Sequence, residues 1–345
     1  MVRSKNKPAT EPAAASVVAT ARSLQPALQR HLVIVHQPGW QALSDWYEIA
    51  QMVRRIDPTT GVVIVRADRP DPRLQKQAAT LPSLVFSAGP LGKFMPERGK
   101  VYHGRPIHKF EQLHRLDRAG VRVPPTTMLQ PDTRLDPGLW GEFVVVKPTD
   151  IGSSSHGAGI QLMRTERVRY IRPEDYPDGH PGRKGPMVVQ KYIDTGPRVG
   201  VYRVLTLFGE PLYFQHVESR HNRVGLDAAD ERIEAEVIAT QSLSQEEKRK
   251  SFVFYADIAA LARAAYRAVP EAPLQGCDVV RDARTGLPYI LELNPGGNTW
   301  HFSSDFQAPI RAMDGAEFEA QRRWHLDAFG TAAHVLADVA RREAI

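Results

Sequence analysis

The chain has 345 residues, with 45 Lys and Arg against 39 Asp and Glu and a formal net charge of +6. That length allows two or three domains with a sizeable core. The basic excess does not indicate nucleic-acid binding, because acidic and basic residues are interleaved almost everywhere past residue 40. No apolar run approaches the roughly 18 residues of a membrane span. We therefore expect neither a nucleic acid nor a membrane as a partner.

The N-terminal residues 1–28 are rich in Ala, Pro, Ser, Thr and basic side chains, with Glu11 as their single acid. Such a segment cannot bury enough apolar surface to order itself, so we predict a flexible tail, with a targeting or partner-docking role as the alternative. It lacks the apolar core of a secretory signal, which favours a cytoplasmic protein. The one cysteine, Cys277, stands beside Asp278 in an apolar run, which is more typical of a small buried residue than of a nucleophile.

Residues 29–105 are predicted to form a small α/β domain. Apolar runs at 32–35 and 62–65 flank an amphipathic helix between residues 40 and 56. A third apolar run follows at residues 84–86. The order strand, helix, strand indicates a parallel sheet. The domain lacks the G-x-G-x-x-G turn of a dinucleotide-binding site.

A second unit begins with a helix that opens at Lys109 and ends at Gly120. Its strand at residues 143–146 is followed by Lys147 and by a loop rich in Gly and Ser at residues 151–159. Glycines let backbone N–H groups turn toward an anion, serines add donors and the lysine adds a charge, so this loop suits a phosphate. An ordinary flexible hairpin is the alternative. A Walker A loop is excluded, because the lysine precedes the glycines.

Near the end of the chain, apolar residues 277–280 and 289–291 flank a turn, which predicts a β-hairpin. Residues two apart on a strand share a face, so Glu292 and Asn294 point the same way, and Asp278 on the partner strand lies opposite them. Two carboxylates and an amide are hard oxygen ligands of the kind that Mg²⁺ takes beside substrate phosphates. The hairpin therefore predicts a magnesium site that a nucleotide completes. A solvated hairpin with ordinary surface acids is the alternative.

Five features follow one another along about residues 31–310: Lys109, Lys147 with its loop, a strand that ends in residues 190–194, Arg203, and Asp278 with Glu292-x-Asn294. This ordered set resembles the ATP-grasp ligases. Within that superfamily the chain is most similar to the carboxylate–amine ligases, such as D-alanine:D-alanine ligase, glutathione synthetase and the enzymes that add glutamate to protein C-termini. The resemblance implies an ATP-grasp fold of the α/β (α+β) class. A parallel-sheet domain at the N-terminus would precede two α+β subdomains, residues 106–194 and 195–345, that clasp ATP.

The resemblance also implies a role for each part of the site. The two lysines would contact the α- and β-phosphates, and the Gly/Ser loop would fold over the γ-phosphate as a lid. The strand at residues 190–193 would hold adenine through its backbone, with the ribose near Asp194. Arg203 and Arg220 would face the transferring phosphoryl group. The turn after Asn294 would bind a substrate carboxylate through free N–H groups, with Trp300 as a wall.

The residues so implied fall into four sets. The nucleotide-binding set is Lys109, Lys147, Gly152, Ser153, Ser154, Ser155, Gln190, Lys191, Tyr192, Ile193 and Asp194. The catalytic set is Lys147, Arg203 and Arg220, and the metal set is Asp278, Glu292 and Asn294. The substrate set is Gly296, Gly297 and Trp300.

The implied activity is an ATP-dependent ligation of a carboxylate to an amine through an acyl phosphate, with release of ADP and phosphate. ATP and Mg²⁺, or Mn²⁺ in its place, would be the cofactors, and small carboxylates and amines, such as amino acids or peptides, the substrates. The alternatives are a kinase of the same fold that acts on a small-molecule hydroxyl, a partner-dependent peptide-modifying enzyme, and a nucleotide sensor. Residues 224–251 depart from the glutamate-adding relatives and are predicted to be an exposed helix or mobile flap. The oligomeric state stays open, a homodimer included.

Overall fold

The computed structural model describes residues 26–149, 157–296, 300, 303–305 and 315–345. Within these residues the chain forms one parallel and two antiparallel sheets, which confirms the α/β class predicted from the sequence. Residues 1–25 of the N-terminal segment and residues 150–156, which include most of the Gly/Ser loop, lie outside the described residues. In the part of the chain that is described, no helix is long and apolar enough to cross a membrane.

The first domain is a parallel sheet with helices on both faces. Its elements are β1 (Arg30–His36), α1 (Leu43–Ile56), β2 (Thr60–Arg66), α2 (Pro72–Ala79), β3 (Ser83–Ser87) and β4 (Lys100–His103), with the strands in the order β2-β1-β3-β4. Leu32 and Ile34 of β1 pack in the core that contains α1, whereas Val33 and Val35 pack on the other face near α2. A strand that is covered on both faces is apolar throughout, which explains the unbroken run at residues 32–35.

The second unit is an antiparallel sheet with the order β5-β8-β6-β7. Its elements are α3 (Lys109–Arg118), β5 (Thr126–Met128), α4 (Pro137–Trp140), β6 (Phe143–Pro148), β7 (Gln161–Arg164) and β8 (Met187–Lys191). Val144 and Val146 of β6 pack into a core with Trp140. Because side chains alternate along a strand, Lys147 leaves by the opposite face. That face turns toward the third sheet.

The third unit is an antiparallel sheet with the order β11-β10-β9-β12-β13. Its elements are β9 (Gly200–Leu207), β10 (Glu210–Ser219), α5 (Asp230–Glu234), β11 (Lys248–Ser251), α6 (Ala256–Ala268), β12 (Leu274–Arg281), β13 (Pro288–Pro295) and α7 (Gly315–Glu343). Val204 and Cys277 face α3 and α6. On the other face, Leu205 and Leu207 share a core with α7 and with Trp46 of the first domain. The last helix thus packs the first domain against the third sheet.

The connection between β10 and β11 reaches across to the second unit. Its helix α5 buries Ile233, which is 2% exposed, in a cluster with Phe143 and Leu162. Arg164 donates from Nε to Asp230 Oδ1 at 2.8 Å, which adds an ion pair to the same contact. The structure therefore has a helix in this stretch, as predicted, with Glu231 and Arg232 exposed, but Ile233 on it is buried against the second unit. A single isoleucine among many charges is a weak sequence signal, yet it anchors the helix.

We expect Ile233→Ala to release α5 from the second unit, because removal of a buried isoleucine side chain costs about 2–5 kcal/mol. Hydrogen exchange read by mass spectrometry should then be faster across residues 224–240. The matched control is Val237→Ala, since Val237 is 47% exposed in the same connection and should leave exchange unchanged. Exchange in Ile233→Ala at the wild-type rate would show that the ion pairs alone hold α5.

Candidate active site

A β-bulge in β13 sets the geometry of the three predicted metal ligands. Asp278 lies opposite Glu292, but Val279 lies opposite Ile290, so Leu291 is the extra residue. In a regular strand Ile290 would share a face with Glu292, because the two are two residues apart. The bulge instead places Ile290 in the core and keeps Glu292 opposite Asp278 on the other face.

Asn294 completes the group from the same face of β13. Its partner on β12 is Gly276, which has no side chain to block it. The amide of Asn294 donates from Nδ2 to Asp278 Oδ2 at 3.0 Å and to Glu292 Oε1 at 3.3 Å. The structure therefore brings all three predicted metal ligands into direct contact.

Arg203 joins this group from the neighbouring strand β9, where it is the register partner of Asp278. Its guanidinium makes two hydrogen bonds to the Asp278 carboxylate, one of them from Nη2 to Oδ2 at 2.9 Å. A planar guanidinium matches a carboxylate in this paired geometry. Arg203, a predicted catalytic residue, thus contacts a predicted metal ligand.

Lys109 enters from the first turn of α3. Its ammonium lies 3.0 Å from Glu292 Oε2. One turn later, the buried side chain of Gln112 accepts a hydrogen bond from the backbone N–H of Leu293 at 3.1 Å. Gln112 also donates to the carbonyl of Ile107 at 2.7 Å. This buried amide ties α3 to β13 and thereby sets Lys109 against Glu292.

Lys147 approaches from the facing sheet. Its ammonium donates to Gln190 Oε1 at 2.8 Å and, over 3.5 Å, to the carbonyl of Leu291, the bulged residue. Gln190 in turn donates from Nε2 to the hydroxyl of Thr126 at 3.0 Å. The site thus lies where the sheets of the second and third units meet.

Burial and the mixed charges change the acidities of these groups. Burial lowers the pKa of Lys147 to about 8, although the Glu292 carboxylate opposes this shift. Burial alone would raise the pKa of Glu292, but the ammonium groups of Lys109 and Lys147 hold it well below its usual range. Burial raises the pKa of Asp278, which Arg203 partly offsets and the neighbouring Glu292 carboxylate reinforces. Three cationic side chains therefore surround two carboxylates.

The donor set fits a hard divalent cation. Among the described residues, no three His, Cys, Asp or Glu side chains cluster in a way that suits a metal ion. The group here has two carboxylates, Asp278 and Glu292, and its third donor is the amide of Asn294. Mg²⁺ is commonly bound by one or two carboxylates together with phosphate oxygens and water, so two carboxylates and one amide oxygen are sufficient. The oxygen of Asn294 faces the same group after a rotation of its amide.

The predicted adenine strand lies in and just after β8. Gln190 faces Lys147, whereas Lys191 points to the other side and donates to the carbonyl of Leu139 at 3.0 Å. The backbone N–H groups of Lys191 and Tyr192 already donate to Pro125 and Phe143 carbonyls. A base held by this strand must therefore use its other backbone groups, such as those of Ile193.

The predicted ribose contact, Asp194, is held in place by its own chain. Its Oδ1 accepts from Nη2 of Arg223 and from the N–H of Gly196, both at 2.9 Å. Arg223 also donates to the carbonyls of Gly196 and Val224. The carboxylate therefore fixes the turn after β8 as well as facing solvent on one side.

Three other predicted residues do not have the positions or contacts that the sequence analysis assigns to them. Arg220 follows the end of β10, five residues beyond the partner of Arg203, which is roughly 17 Å along a strand. The N–H of Gly296 donates to the carbonyl of Leu274 at 3.1 Å, so it is not the free donor that was expected. Trp300 is fully buried and packs with Trp46 at a ring-centroid distance of 4.6 Å, so it does not line an open pocket.

The remaining predicted residues, Gly152, Ser153, Ser154, Ser155 and Gly297, lie outside the described residues. Sequence reasoning missed Gln112 and Thr126, which position the two lysines, and Arg223, which holds the turn after β8. For Gln112 one signal was present in the sequence. It is a polar residue on the face of α3 that also carries the buried Leu113 and Leu116.

Comparisons with known proteins give structural neighbours only. No protein-family model matches the sequence, and a search of curated proteins finds no significant match. D-cycloserine synthetase DcsG is similar in structure, with a TM-score of 0.44 and 14% identity over 89% of this chain and 99% of that one. D-alanine–D-alanine ligase from Bacillus anthracis has a TM-score of 0.40 and 12% identity, over the same shares of the two chains.

A third neighbour is the ATP-grasp ligase PsnB in complex with a minimal precursor, Mg and ADP. Its TM-score is 0.45, with 14% identity over 86% of this chain and 97% of that one. All three likenesses have TM-scores of 0.45 or less and identities of 14% or less. Because these likenesses are distant, the function of this chain has to be inferred from its own site.

We expect Gln112→Leu to destabilise the protein by about 1–3 kcal/mol, because the buried N–H of Leu293 then loses its acceptor. Urea denaturation followed by circular dichroism measures the change in the free energy of unfolding. Gln130→Leu is the matched control, since Gln130 is exposed in the same unit and should change stability little. An unaltered midpoint for Gln112→Leu would show that water replaces the amide and that α3 is held by apolar packing alone.

Proposed function

We propose that the protein is an ATP-dependent ligase that joins a carboxylate to an amine through an acyl phosphate. One observation carries this proposal: two carboxylates and an amide share one strand-pair face, with cations from three separate elements around them. Lys109 comes from α3, Lys147 from β6 and Arg203 from β9. The carboxylates suit a divalent cation, and the three cations suit a triphosphate. The site therefore suits a metal–triphosphate complex better than the metal ion alone or the triphosphate alone.

The cations have distinct tasks in this proposal. Lys147 lies on the strand before the Gly/Ser loop and has uncharged hydrogen-bond partners, so its charge is available for a phosphate. Lys109 and Arg203 neutralise Glu292 and Asp278. Asp278, Glu292 and Asn294 would hold Mg²⁺, which would supply further positive charge beside the phosphates when bound. The two paired cations can then turn toward phosphate oxygens.

The chemistry needs no covalent nucleophile from the protein. An oxygen of the substrate carboxylate attacks the γ-phosphorus, the bond from that phosphorus to the β,γ-bridging oxygen breaks, and ADP leaves. The amine nitrogen then attacks the acyl carbon, phosphate leaves and the nitrogen loses a proton. Negative charge is redistributed in the first step, and Lys147 and Arg203 are placed to stabilise it. The site lies between two sheets, which limits the access of water to a hydrolysable anhydride.

The substrate class proposed here is amino acids or peptides, both of which supply carboxylates and amines. The decisive experiment is Mg²⁺–ATP turnover with pooled amino acids and small acids, with and without hydroxylamine, followed as ADP, phosphate and new masses. A hydroxamate is expected, because hydroxylamine traps an acyl phosphate and identifies the activated acid. Chelation of divalent cations should abolish turnover. A stable phosphorylated product without hydroxamate would instead indicate a kinase.

We expect Glu292→Gln and Asn294→Ala each to lower Mg²⁺-dependent turnover by about 100-fold or more while the fold persists, because the metal loses a ligand at the point of charge transfer. Turnover as a function of Mg²⁺ concentration, together with circular dichroism, measures both effects. The matched control is Glu246→Gln, an exposed glutamate in the β10–β11 connection. Wild-type turnover in Glu292→Gln would contradict the assignment of the metal site.

The reaction should also depend on the proton of Lys147. Because burial lowers its pKa to about 8, the ammonium form is lost as the pH rises through 8, and kcat/KM for ATP should fall with it. Lys147→Arg keeps its charge throughout this range, since arginine stays protonated, and should give a slower enzyme with a flat profile between pH 7 and 9. The same alkaline fall in both enzymes would assign it to another group.

A further inference from the structure

A buried glutamine continues the row of site side chains by one strand. Asp278 on β12 is the register partner of Glu292 on β13 and of Arg203 on β9. Arg203 is in turn the register partner of Gln215 on β10. Residues directly opposite each other in an antiparallel pair have Cβ atoms roughly 5 Å apart on one face of the sheet. The four side chains therefore lie side by side across four strands, with Gln215 at one end.

Gln215 points to the face of the third sheet that carries the site. Its neighbours point to the opposite face, where His216 stacks on Tyr202 at a ring-centroid distance of 4.2 Å and Phe214 joins the core that contains α6. Two residues earlier, Tyr213 packs in the core that α7 shares with the first domain. Because residues two apart on a strand share a face, Gln215 lies where this core ends and the site begins.

The side chain of Gln215 is buried without a hydrogen-bond partner. It is 8% exposed, and no described residue donates to its amide oxygen or accepts from its amide nitrogen. A buried amide with its donor and acceptor both unpaired is costly, and the large majority of such groups in proteins have a partner. The buried amides of Gln112 and Gln190, which also border the site, are hydrogen-bonded. Gln215 is therefore placed to take its partner from a ligand.

The charges along the row indicate which part of a ligand reaches Gln215. The carboxylates of Glu292 and Asp278 lie at one end, and Arg203 separates them from the neutral amide. Lys109 of α3 lies against Glu292 and occupies that end of the row. In the proposed reaction the metal and the phosphates use the charged groups. The acyl part of the substrate then extends from Arg203 toward Gln215.

We propose that Gln215 is a specificity-determining residue that binds an uncharged amide group of the carboxylate substrate, next to the carbon that is activated. This inference rests on the proposed function, because it needs an acyl group beside Arg203. A glutamine amide offers an acceptor and two donor hydrogens, which complement the N–H and C=O of a second amide. A free amino acid would place a charged ammonium there, which a neutral partner compensates poorly. The substrate class is therefore a carboxylate whose neighbouring nitrogen is acylated, as in a peptide or an N-acyl amino acid.

The test compares three pools of carboxylates in the hydroxylamine assay: free amino acids, their N-acetyl derivatives and dipeptides. The wild type should form hydroxamates from the acylated compounds about tenfold faster than from the free amino acids, because only they pair with the buried amide. Reaction of the dipeptides without the N-acetyl derivatives would assign a peptide substrate, and the reverse an N-acyl amino acid. Gln215→Leu removes both hydrogen bonds at a similar volume and should lose the preference. Its affinity for Mg²⁺–ATP, measured by titration calorimetry, should stay within about twofold of the wild type, because Gln215 does not contact the phosphates.

A second variant, Gln215→Glu, separates recognition of the substrate from support of the fold. Its carboxylate has nearly the shape of the amide but makes an ion pair with the ammonium of a free amino acid, so the preference should shift toward that pool. The readout is the ratio of rates between the pools, because a new carboxylate beside Arg203 also lowers the overall rate. A merely structural role of Gln215 would change the rates of all three pools alike. Gln130→Leu, at an exposed position of the second unit, is the control and should keep the wild-type ratio.

The outcomes separate this inference from the ligase proposal. A wild-type preference for acylated carboxylates that Gln215→Leu loses would support both. Hydroxamates formed without that preference, or a preference that Gln215→Leu and Gln215→Glu both keep, would overturn the role of Gln215 and leave the ligase proposal intact. A wild type that forms no hydroxamate from any of the three pools would overturn both.

Discussion

The burial of two carboxylates at the meeting of two sheets is the constraint on which the structure of this site depends. Asp278 is only 8% exposed, and its strand partner Glu292 is half-buried beside it. Burial of two like charges is unfavourable unless cations compensate both. The compensation comes from Lys109, Lys147 and Arg203, which belong to a helix, to the facing sheet and to the next strand. The charge balance therefore joins β6 of the facing sheet to α3 and β9, which pack in a separate core.

The site contains several charged side chains, and a charged ligand can replace the ion pairs among them. An ion pair that is buried with its hydrogen bonds satisfied contributes little net stability, but removal of one member is costly. A ligand that brings both positive and negative charge, as a metal–triphosphate does, can replace these pairs without leaving a charge unmet. Arg203 and Lys109 can change partners in this way, whereas Lys147 has no acid to leave. Before a ligand binds, Lys109 is therefore in an ion pair, whereas Lys147 is hydrogen-bonded to neutral oxygens.

Much of the site follows from the sequence, because it depends on local periodicity. The shared face of Glu292 and Asn294 comes from the period of a strand, and the partnership with Asp278 follows from a hairpin with a short turn. The bulge at Leu291 does not follow, since nothing in the apolar run marks the extra residue. The role of Gln112 does not follow either, because the hydrogen-bond partners of a buried amide depend on which strand packs against its helix. The prediction that Trp300 lines the substrate site failed because the sequence does not show which core a large aromatic side chain joins. In the structure it packs in the core of the first domain and α7.

The position of the site relative to the first domain follows from one face of the third sheet. Arg203 shares that face with Leu205 and Leu207, which pack in the core with α7 and the first domain. The site therefore begins where this core ends. At the same boundary a Cβ atom on Gly104 would overlap the carbonyl of Ala88 and the Cα of Gly296, so the backbones after β3, β4 and β13 approach one another closely. This close approach places the carboxyl ends of β3 and β4 beside the end of β13, two residues beyond Asn294.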